Sequence, residues 1–394
     1  MRALNTLLLV LATFFGSIAA AQYTVPVLPP EHKKITDTQT GVALTFLTTN
    51  PATDNNLYFH ERSWLADGSV ILFTSAREGG SLLGYVVQTG ELLRLTTPSG
   101  NLGGATAAIS GSGFYALRNR EVVQFSLNLT PSADAQSKPS QATLTERVIC
   151  TIPEGAGGTG LNESCDGKRL SIGLSGGDVG KPAIFIIDID AGDIKELCRP
   201  PDPPGYAHHV QWSHTNPNLI SYAALEQRLM IVDIRDGIPR SIYTAWPGEL
   251  VTHESWWVND QILFCGSIHP YPTEDSHVKV LNITTGEVRI IGAGAWWPEA
   301  KPIELSKYNW WHSDGSDDGR WVVADNWHGD IMLWEAKTTR PRLLTAGHRT
   351  YGDGDHPHVG FDRAGKAVVF TSHMLGNPDV CIAEIPQEWQ DENP

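Results

Sequence analysis

The chain repeats one structural unit about every fifty residues, a period typical of propellers and other repeat proteins. In each unit a turn, commonly Asp-Gly, precedes an apolar strand, and two further strands follow. In the first unit Asp67-Gly68 precedes the apolar residues 70–75. The seven units begin near residues 67, 113, 166, 218, 260, 318 and 364. No single unit of this size can bury both of its faces, so the units must pack against one another.

Short strands at regular spacing, glycine-rich turns and almost no helical periodicity predict an all-β fold, a seven-bladed β-propeller. We expect residues 42–47 to form a strand that completes the last blade. Residues 128–146, rich in Ser, Pro, Gln and Ala, are predicted to be a loop inserted in the second blade. Residues 22–394 are therefore predicted to form a single propeller domain.

Residues 1–21 have the pattern of a signal peptide. Arg2 supplies a positive charge, residues 7–15 are apolar but too few to span a bilayer, and Ala19-Ala20-Ala21 is a small-residue cleavage site. Cleavage before Gln22 would release the domain, so we expect a secreted or periplasmic protein. In that oxidising compartment Cys150 and Cys165, which bracket a glycine-rich turn, are the expected disulfide, and the odd total of five cysteines leaves at least one unpaired.

The formal net charge of −15 argues against binding to nucleic acids or to anionic membranes. An acidic ligand would need a local cationic or metal site that overrides this general field. Several of the 13 tryptophans flank histidines, as in Trp310-Trp311-His312 and Trp327-His328. Exposed aromatic rings beside polar groups suit sugar rings, although core packing is the commoner reason for a tryptophan.

Seven histidines share one position in the repeat, shortly before the first strand of a unit. Ligand sites of propellers usually lie on the loops that lead into the innermost strands, where the central channel opens. Histidines scattered at random over the surface would not recur at the same position of the repeat. We therefore predict a site on one face of the ring, to which these residues contribute: His60, His208, His209, His253, His312, His356 and His358.

The segment His356-Pro357-His358 predicts a metal site. Proline keeps the preceding residue extended, so two imidazoles are held close together, and neutral imidazole is the commonest metal ligand. His312, from the neighbouring unit, can supply a third ligand. Asp353 can supply an oxygen ligand, and Asp355 is its rival for that place. A surface loop that happens to carry histidines is the alternative interpretation.

Four segments in this order resemble the oligogalacturonate lyase family, over nearly the whole of the chain after residue 21. They are Asn-Asn-Leu-Tyr-Phe-His at 55–60, Val-Gln-Trp-Ser with Asn-Pro-Asn-Leu-Ile at 210–220, Pro-Gly-Glu with Thr-His-Glu at 247–254, and His-Pro-His with Phe-Thr-Ser at 356–372. The resemblance implies a seven-bladed propeller that cleaves short uronate oligosaccharides by β-elimination. It also implies a manganese ion held by three histidines and a glutamine.

Transferred to this sequence, the resemblance assigns the metal ligands to His312, His356 and His358. It assigns the catalytic base to His253 and a catalytic arginine to Arg228. Asp353 occupies the glutamine position, and a carboxylate there suits Mn²⁺ but also Ca²⁺.

The substrate contacts are less sharply assigned. His60, His208 and His209 are expected to contact substrate, and Tyr222, Tyr58 or a water would protonate the leaving oxygen. Residues 221–226 replace the Cys-His-Glu-Gly-Pro-Trp stretch of the family, so the identity of the uronate stays open. The expected function is a secreted, metal-assisted lyase of acidic oligosaccharides. The alternatives are a propeller lyase for another glycan, such as one containing glucuronate, and a non-catalytic propeller that binds glycan or protein.

Overall fold

The computed structural model describes residues 21–77, 82–135, 137–201, 206–225, 227–247, 249–267, 276–294, 309–349 and 356–392. The predicted signal peptide lies outside these ranges except for Ala21, and the predicted ligand Asp353 and its rival Asp355 also lie outside them. No helix within the described ranges has both the length and the apolar character needed to cross a membrane.

The strands of the described residues follow in chain order. The first half of the chain contains β1 (Ala21–Thr24), β2 (Val27–Leu28), β3 (Lys33–Thr36), β4 (Ala43–Phe46), β5 (Asp54–Asn56), β6 (Val70–Ser75), β7 (Leu82–Val86), β8 (Leu92–Arg94), β9 (Leu102–Ala107), β10 (Gly113–Arg118), β11 (Glu121–Thr130), β12 (Gln141–Thr151), β13 (Gly157–Gly158), β14 (Asn162–Glu163), β15 (Arg169–Gly176), β16 (Gly180–Asp188) and β17 (Ile194–Cys198). The second half contains β18 (His208–Trp212), β19 (Leu219–Ala223), β20 (Leu229–Asp233), β21 (Pro239–Ser241), β22 (Val251–Trp256), β23 (Gln261–Gly266), β24 (His277–Asn282), β25 (Val288–Gly292), β26 (Trp310–Gly315), β27 (Trp321–Asn326), β28 (Ile331–Glu335), β29 (Pro341–Thr345), β30 (Gly360–Phe361), β31 (Ala367–Ser372), β32 (Asp379–Glu384) and the helix α1 (Gln387–Asp391).

These strands form seven antiparallel sheets, which confirms the predicted seven-bladed β-propeller. From the innermost strand outward, the blades are β5-β6-β7-β8-β2 (blade 1), β9-β10-β11-β12-β1 (blade 2), β13 and β14 with β15-β16-β17 (blade 3), β18 to β21 (blade 4), β22 to β25 (blade 5), β26 to β29 (blade 6) and β30-β31-β32-β4-β3 (blade 7). The strand that follows the turn in each predicted unit is the second strand of its blade, and the innermost strand lies before that turn, so the predicted units are offset from the blades by one strand.

The N-terminal segment closes the ring. Strand β4 pairs with β32, with Phe46 opposite Cys381, so the two ends of the chain share blade 7 as predicted for residues 42–47. Strands β1 and β2 cover the outer edges of blades 2 and 1. Residues 128–146 are not wholly a loop: β11 and β12 continue to the pair Thr130 and Gln141, and the turn is confined to 131–140.

The core lies between the blades because the middle strands carry apolar side chains on both faces. Strand β6 is an example, since four consecutive apolar residues, Val70 to Phe73, are fully buried. Four tryptophans, Trp212, Trp256, Trp310 and Trp321, are core residues, whereas Trp246 is 67% exposed. All five cysteines are free, so the bridge predicted between the two partly buried residues Cys150 and Cys165 is not formed.

Candidate active site

The innermost strands bring the predicted histidines to one end of the central channel. His209 lies in β18, His253 in β22 and His312 in β26, each near the start of its strand, and His358 lies just before β30. His60 follows the innermost strand of blade 1. His209, His253 and His312 therefore come from the innermost strands themselves, whereas His60, His356 and His358 come from the adjoining loops, as the sequence suggested for all of them.

A shared backbone irregularity turns some of these side chains into the channel. The pairing of β18 with β19 shifts between His208 and Gln211, and the pairing of β22 with β23 shifts between Thr252 and Ser255. Within these bulges His209 and His253 both have φ of 51°, and His358 has φ of 49°. A positive φ is unusual outside glycine, and a bulge redirects the side chain it contains. Such conformations cluster at functional sites because the surrounding fold must maintain them.

His312, His356 and His358 form a compact cluster. One ligand nitrogen from each ring lies within 4.8 Å of the others, and the ring centroids are 4.5 to 5.4 Å apart. Burial lowers the pKa of His312 and His358 well below the ordinary value, and the neighbouring imidazoles lower it further. The rings are therefore neutral near pH 7, which is the form that binds a metal ion.

A buried carboxylate orients the deepest of these rings. Asp325 accepts hydrogen bonds from the backbone N–H of His312 at 2.7 Å and from its Nδ1 at 2.8 Å. Nε2 of His312 is buried and has no hydrogen-bond partner. A carboxylate behind a histidine is the usual arrangement around a metal ion, because it fixes the tautomer with the lone pair at the ligand nitrogen. The residues present therefore fit a divalent ion bound at Nε2.

His253 lies beside this cluster. Its ring centroid is 4.1 Å from that of His312 and 4.9 Å from that of Trp311. A hydrogen bond of 3.0 Å joins its Nδ1 to the hydroxyl of Thr252, so Nε2 is the nitrogen available for proton transfer. Burial, followed by the charges of His312 and His209, holds the pKa of His253 well below the ordinary value, and the ring is neutral.

A second network connects the predicted arginine to the histidine cluster. Glu254 is buried and accepts from Arg228 Nε and from His209 Nδ1, each at 3.0 Å. Burial alone would raise the pKa of Glu254, but Arg228 and His209 outweigh it and lower that pKa to about 2. His209 Nδ1 also lies 3.3 Å from Arg228 Nη2, and the shorter contact with the carboxylate assigns the proton to Nδ1. His209 Nε2 is then the acceptor for the hydroxyl of Tyr58 at 3.2 Å.

Tyr58 lies at the centre of the histidines. Its ring is 4.6 Å from that of His358, 4.8 Å from that of His60 and 5.3 Å from that of His209. Both ring nitrogens of His60 are buried without a hydrogen-bond partner, and burial lowers its pKa well below the ordinary value. Tyr58 and His60 therefore form the blade 1 side of the site.

Two predicted substrate-binding residues lie away from the cluster. Tyr222 is fully buried in the core of blade 4, beside Cys198 and Met230, and cannot reach a substrate from that position. His208 is exposed and stacks on Tyr206, with ring centroids 3.9 Å apart. Sequence reasoning assigned no role to Glu254 or Asp325. Glu254 had a visible signal, since it belongs to the Thr-His-Glu segment, whereas Asp325 is 13 residues from its partner and only the β26–β27 hairpin brings them together.

Comparison with known proteins extends these observations. No protein-family model matches the chain. The oligogalacturonate lyase of Dickeya dadantii (strain 3937) is 23% identical over 411 residues, which cover 90% of this chain and 96% of the relative. The oligogalacturonide lyase of Pectobacterium atrosepticum is 22% identical over 405 residues, covering 89% of this chain and 95% of the relative.

Solved structures show the same similarity in the fold. The oligogalacturonate lyase of Vibrio parahaemolyticus superposes with a TM-score of 0.71 at 19% identity, covering 93% of this chain and all of that one. An oligogalacturonate lyase in complex with manganese superposes with a TM-score of 0.72 at 17% identity, covering 93% of this chain and 99% of that one. The chain therefore resembles the oligogalacturonate lyases along nearly its whole length, in sequence and in fold, as its motifs predicted.

Proposed function

We propose that this chain is a metal-assisted lyase that cleaves short oligosaccharides containing uronic acid by β-elimination. One observation supports this most strongly: a three-histidine cluster, a fourth neutral histidine and an arginine converge at one end of the channel. The similarity to oligogalacturonate lyases supports a uronate as the substrate class.

The chemistry requires these groups. The C5 proton of a uronate is hard to remove because the adjacent carboxylate is already anionic and stabilises a carbanion poorly. When bound, a divalent cation supplies Lewis-acid neutralisation of that carboxylate. Arg228 adds a second, permanent positive charge, and its Nε is anchored by Glu254.

His253 removes the C5 proton through Nε2. Its neutral ring can accept a proton, and Thr252 fixes its orientation through Nδ1. The C4–C5 double bond forms as the bond from C4 to the glycosidic oxygen breaks, so one product carries an unsaturated uronate end. Of the two tyrosines considered as proton donors, Tyr58 lies among the histidines and Tyr222 lies in the core, which favours Tyr58 or a water as the donor to the leaving oxygen.

The ion itself is proposed to be Mn²⁺. His312, His356 and His358 would hold it, and a relative of the same fold has been crystallised with manganese. An oxygen ligand from Asp353, in the stretch that the structure does not describe, would also accommodate Ca²⁺. Imidazole-rich sites favour manganese over calcium, because calcium takes oxygen ligands almost exclusively.

A different uronate is the second candidate substrate. The family stretch Cys-His-Glu-Gly-Pro-Trp is replaced at 221–226, and in this chain Tyr222 points into the core while Leu225 is 56% exposed. At Tyr222 and Leu225 the substrate contacts of the family stretch are therefore not reproduced, so we keep glucuronate-containing glycans as an alternative to galacturonate. We also propose that residues 1–21 direct export, so that the enzyme meets its substrate outside the cytoplasm.

Incubation with uronate oligosaccharides tests this proposal. Oligogalacturonides and glucuronate-containing oligomers are supplied in turn, with Mn²⁺, with Ca²⁺ and with a chelator, and the ultraviolet absorbance of unsaturated uronate is followed. We expect metal-dependent product with at least one of these classes. Saturable binding of an oligomer without any unsaturated product would instead identify a non-catalytic glycan-binding propeller.

A further inference from the structure

The central channel has a second polar cluster, at the end opposite the histidines. The innermost strands run from the histidine face to this other face, and three of them lead into positively charged or imidazole side chains. Arg62 follows the inner segment of blade 1, His214 follows β18 of blade 4, and Arg363 follows β30 of blade 7. All three line a cavity of about 80 Å³ within the channel. None of them has a role in the proposed lyase reaction.

The two guanidinium groups have weak partners. Arg62 Nη1 is buried without a hydrogen bond and lies 3.9 Å from a carboxylate oxygen of Glu163, and Nη2 makes only a 3.5 Å contact with the carbonyl oxygen of Glu163. Arg363 lies 3.5 Å from the carbonyl of Ala108 and 3.7 Å from a carboxylate oxygen of Asp317. Charge-assisted hydrogen bonds are normally about 2.7–2.9 Å long. Both arginines therefore retain hydrogen-bonding capacity toward the cavity.

Arg77 and Arg118, whose side chains are 10% and 5% exposed against 19% for Arg62 and 34% for Arg363, are paired closely. Arg77 lies 2.7 Å from Glu31, and Arg118 lies 2.8 Å from Glu146. Burial, followed by the charge of Arg363, lowers the pKa of Arg62 to about 10, as expected for like charges without a close counter-ion. His214 is exposed at this mouth of the channel; the surrounding protein and then the two arginines lower its pKa, so its ring is neutral near pH 7 and offers a hydrogen-bonding nitrogen.

The acidic side chains around the cavity do not act as close counter-ions for Arg62 and Arg363. Asp314 accepts a hydrogen bond of 2.9 Å from the backbone N–H of Phe361, and Glu163 accepts from the N–H of Ile109 and the hydroxyl of Tyr115. Burial raises the pKa of Glu61 to about 8, so this carboxyl is neutral near pH 7. Asp317 is more than half exposed and is screened by solvent. The buried Nη1 of Arg62 lacks a close partner, and Arg363, which is partly solvated, adds a second positive charge at the same cavity, so an anion there would satisfy both.

We propose that Arg62, Arg363 and His214 form a binding site for a small oxyanion at this mouth of the channel. Guanidinium groups match the paired oxygens of phosphate, sulfate and carboxylate. The cavity admits an inorganic oxyanion or the carboxylate of a sugar acid, but not a whole oligosaccharide. The cavity is also lined by His60 and His358, but Arg62, Arg363 and His214 are not part of the three-histidine cluster, and the proposal does not depend on the proposed lyase activity.

Calorimetric titration of the purified full-length protein tests the site. Phosphate, sulfate and galacturonate are titrated separately, with neutral galactose as the control. Comparison of these titrations distinguishes binding of a free inorganic anion from binding of a sugar carboxylate. We expect saturable binding of one oxyanion per chain, weakened at least tenfold in Arg363→Met and in Arg62→Met. Arg363 has only the two long contacts, so its variant should fold even if Arg62→Met does not.

Arg228→Met is the matched control, because it removes an arginine from the opposite end of the channel. We expect it to bind phosphate and sulfate as the unmodified protein does, whereas any galacturonate bound at the proposed substrate site should be weakened. The ring proton signals of His214, assigned with His214→Gln, should move during the titration. The proposal is overturned if no oxyanion binds saturably, or if binding is lost in Arg228→Met and kept in Arg363→Met, since the anion would then occupy the substrate site.

Discussion

Substitution of Asp325 by Asn should weaken metal binding without removing a metal ligand. The carboxylate accepts from both the backbone N–H and the Nδ1 of His312, at 2.7 and 2.8 Å. An amide has one acceptor oxygen, so if that oxygen stays with the backbone N–H, the amide NH₂ faces Nδ1. Nδ1 must then become an acceptor, and the ring proton moves to Nε2, the nitrogen that would otherwise bind the ion.

The size of the effect follows from the loss of this orienting contact. Removing a carboxylate behind a metal-bound histidine typically weakens metal affinity about 10- to 100-fold, or about 1.4–2.7 kcal/mol. Titration calorimetry with Mn²⁺ at pH 8 measures it, since burial raises the pKa of Asp325 to about 7 and the carboxyl is ionised at the higher pH.

Asp379→Asn is the control for the loss of a buried aspartate. Asp379 is equally buried, burial raises its pKa to about 7 as well, and it accepts a hydrogen bond from Thr48 at 3.1 Å. We expect its variant to bind Mn²⁺ normally. An Asp325→Asn protein that binds Mn²⁺ within twofold of the unmodified protein would refute the assignment of His312 Nε2 as a ligand.

Three further substitutions test the surrounding networks. Arg228→Lys keeps the charge but loses the guanidinium whose Nε contacts Glu254 and whose Nη2 contacts His209, so kcat/KM on a uronate substrate should fall on the order of 100-fold while Mn²⁺ affinity is unchanged. Equal activity would remove Arg228 from the reaction. Glu254 has a folded-state pKa of about 2 against an ordinary 4.5, so its stabilisation, on the order of 3 kcal/mol, is present above pH 4.5 and lost as the pH falls toward 2. In Glu254→Gln, denaturant midpoints should therefore change less between pH 6 and pH 3, and an unaltered pH dependence would contradict the shifted pKa. Lys279 is buried and its Nζ lies 2.9 Å from a carboxylate oxygen of Glu249, so Lys279→Met should lower the free energy of unfolding in urea by about 3–5 kcal/mol. The double variant Lys279→Met/Glu249→Gln should recover part of this loss. Full stability of the single variant would contradict a buried ion pair.

The repeat was sufficient to predict the blades and the face that carries the histidines. Asp-Gly turns and apolar strands are local signals, and seven similar units have one common way to bury their faces. The same local signals misplaced residues 128–146, because a composition rich in Ser, Pro and Gln hid an alternation in which Leu127, Leu129 and Leu144 pack against the core.

The details of the site depend on backbone geometry that the sequence does not display. The positive φ of His209 and His253 follows from bulges whose position is set by pairing with β19 and β23. Tyr222 was misassigned for a related reason, since a residue of a second strand faces the neighbouring blade and not the channel. Asp325 escaped notice because its partnership with His312 exists only across a hairpin.

The central claim is that His253 removes a proton from a uronate held beside the three-histidine cluster. The most direct measurement is the rate of unsaturated-uronate formation from oligogalacturonides and glucuronate oligomers by the unmodified protein and by His253→Ala, each loaded with Mn²⁺. We expect metal-dependent product from the unmodified protein and a rate at least 100-fold lower from the variant, with Mn²⁺ affinity retained. Full activity of His253→Ala, or no unsaturated product from either class of uronate oligomer with Mn²⁺, would contradict this role of His253.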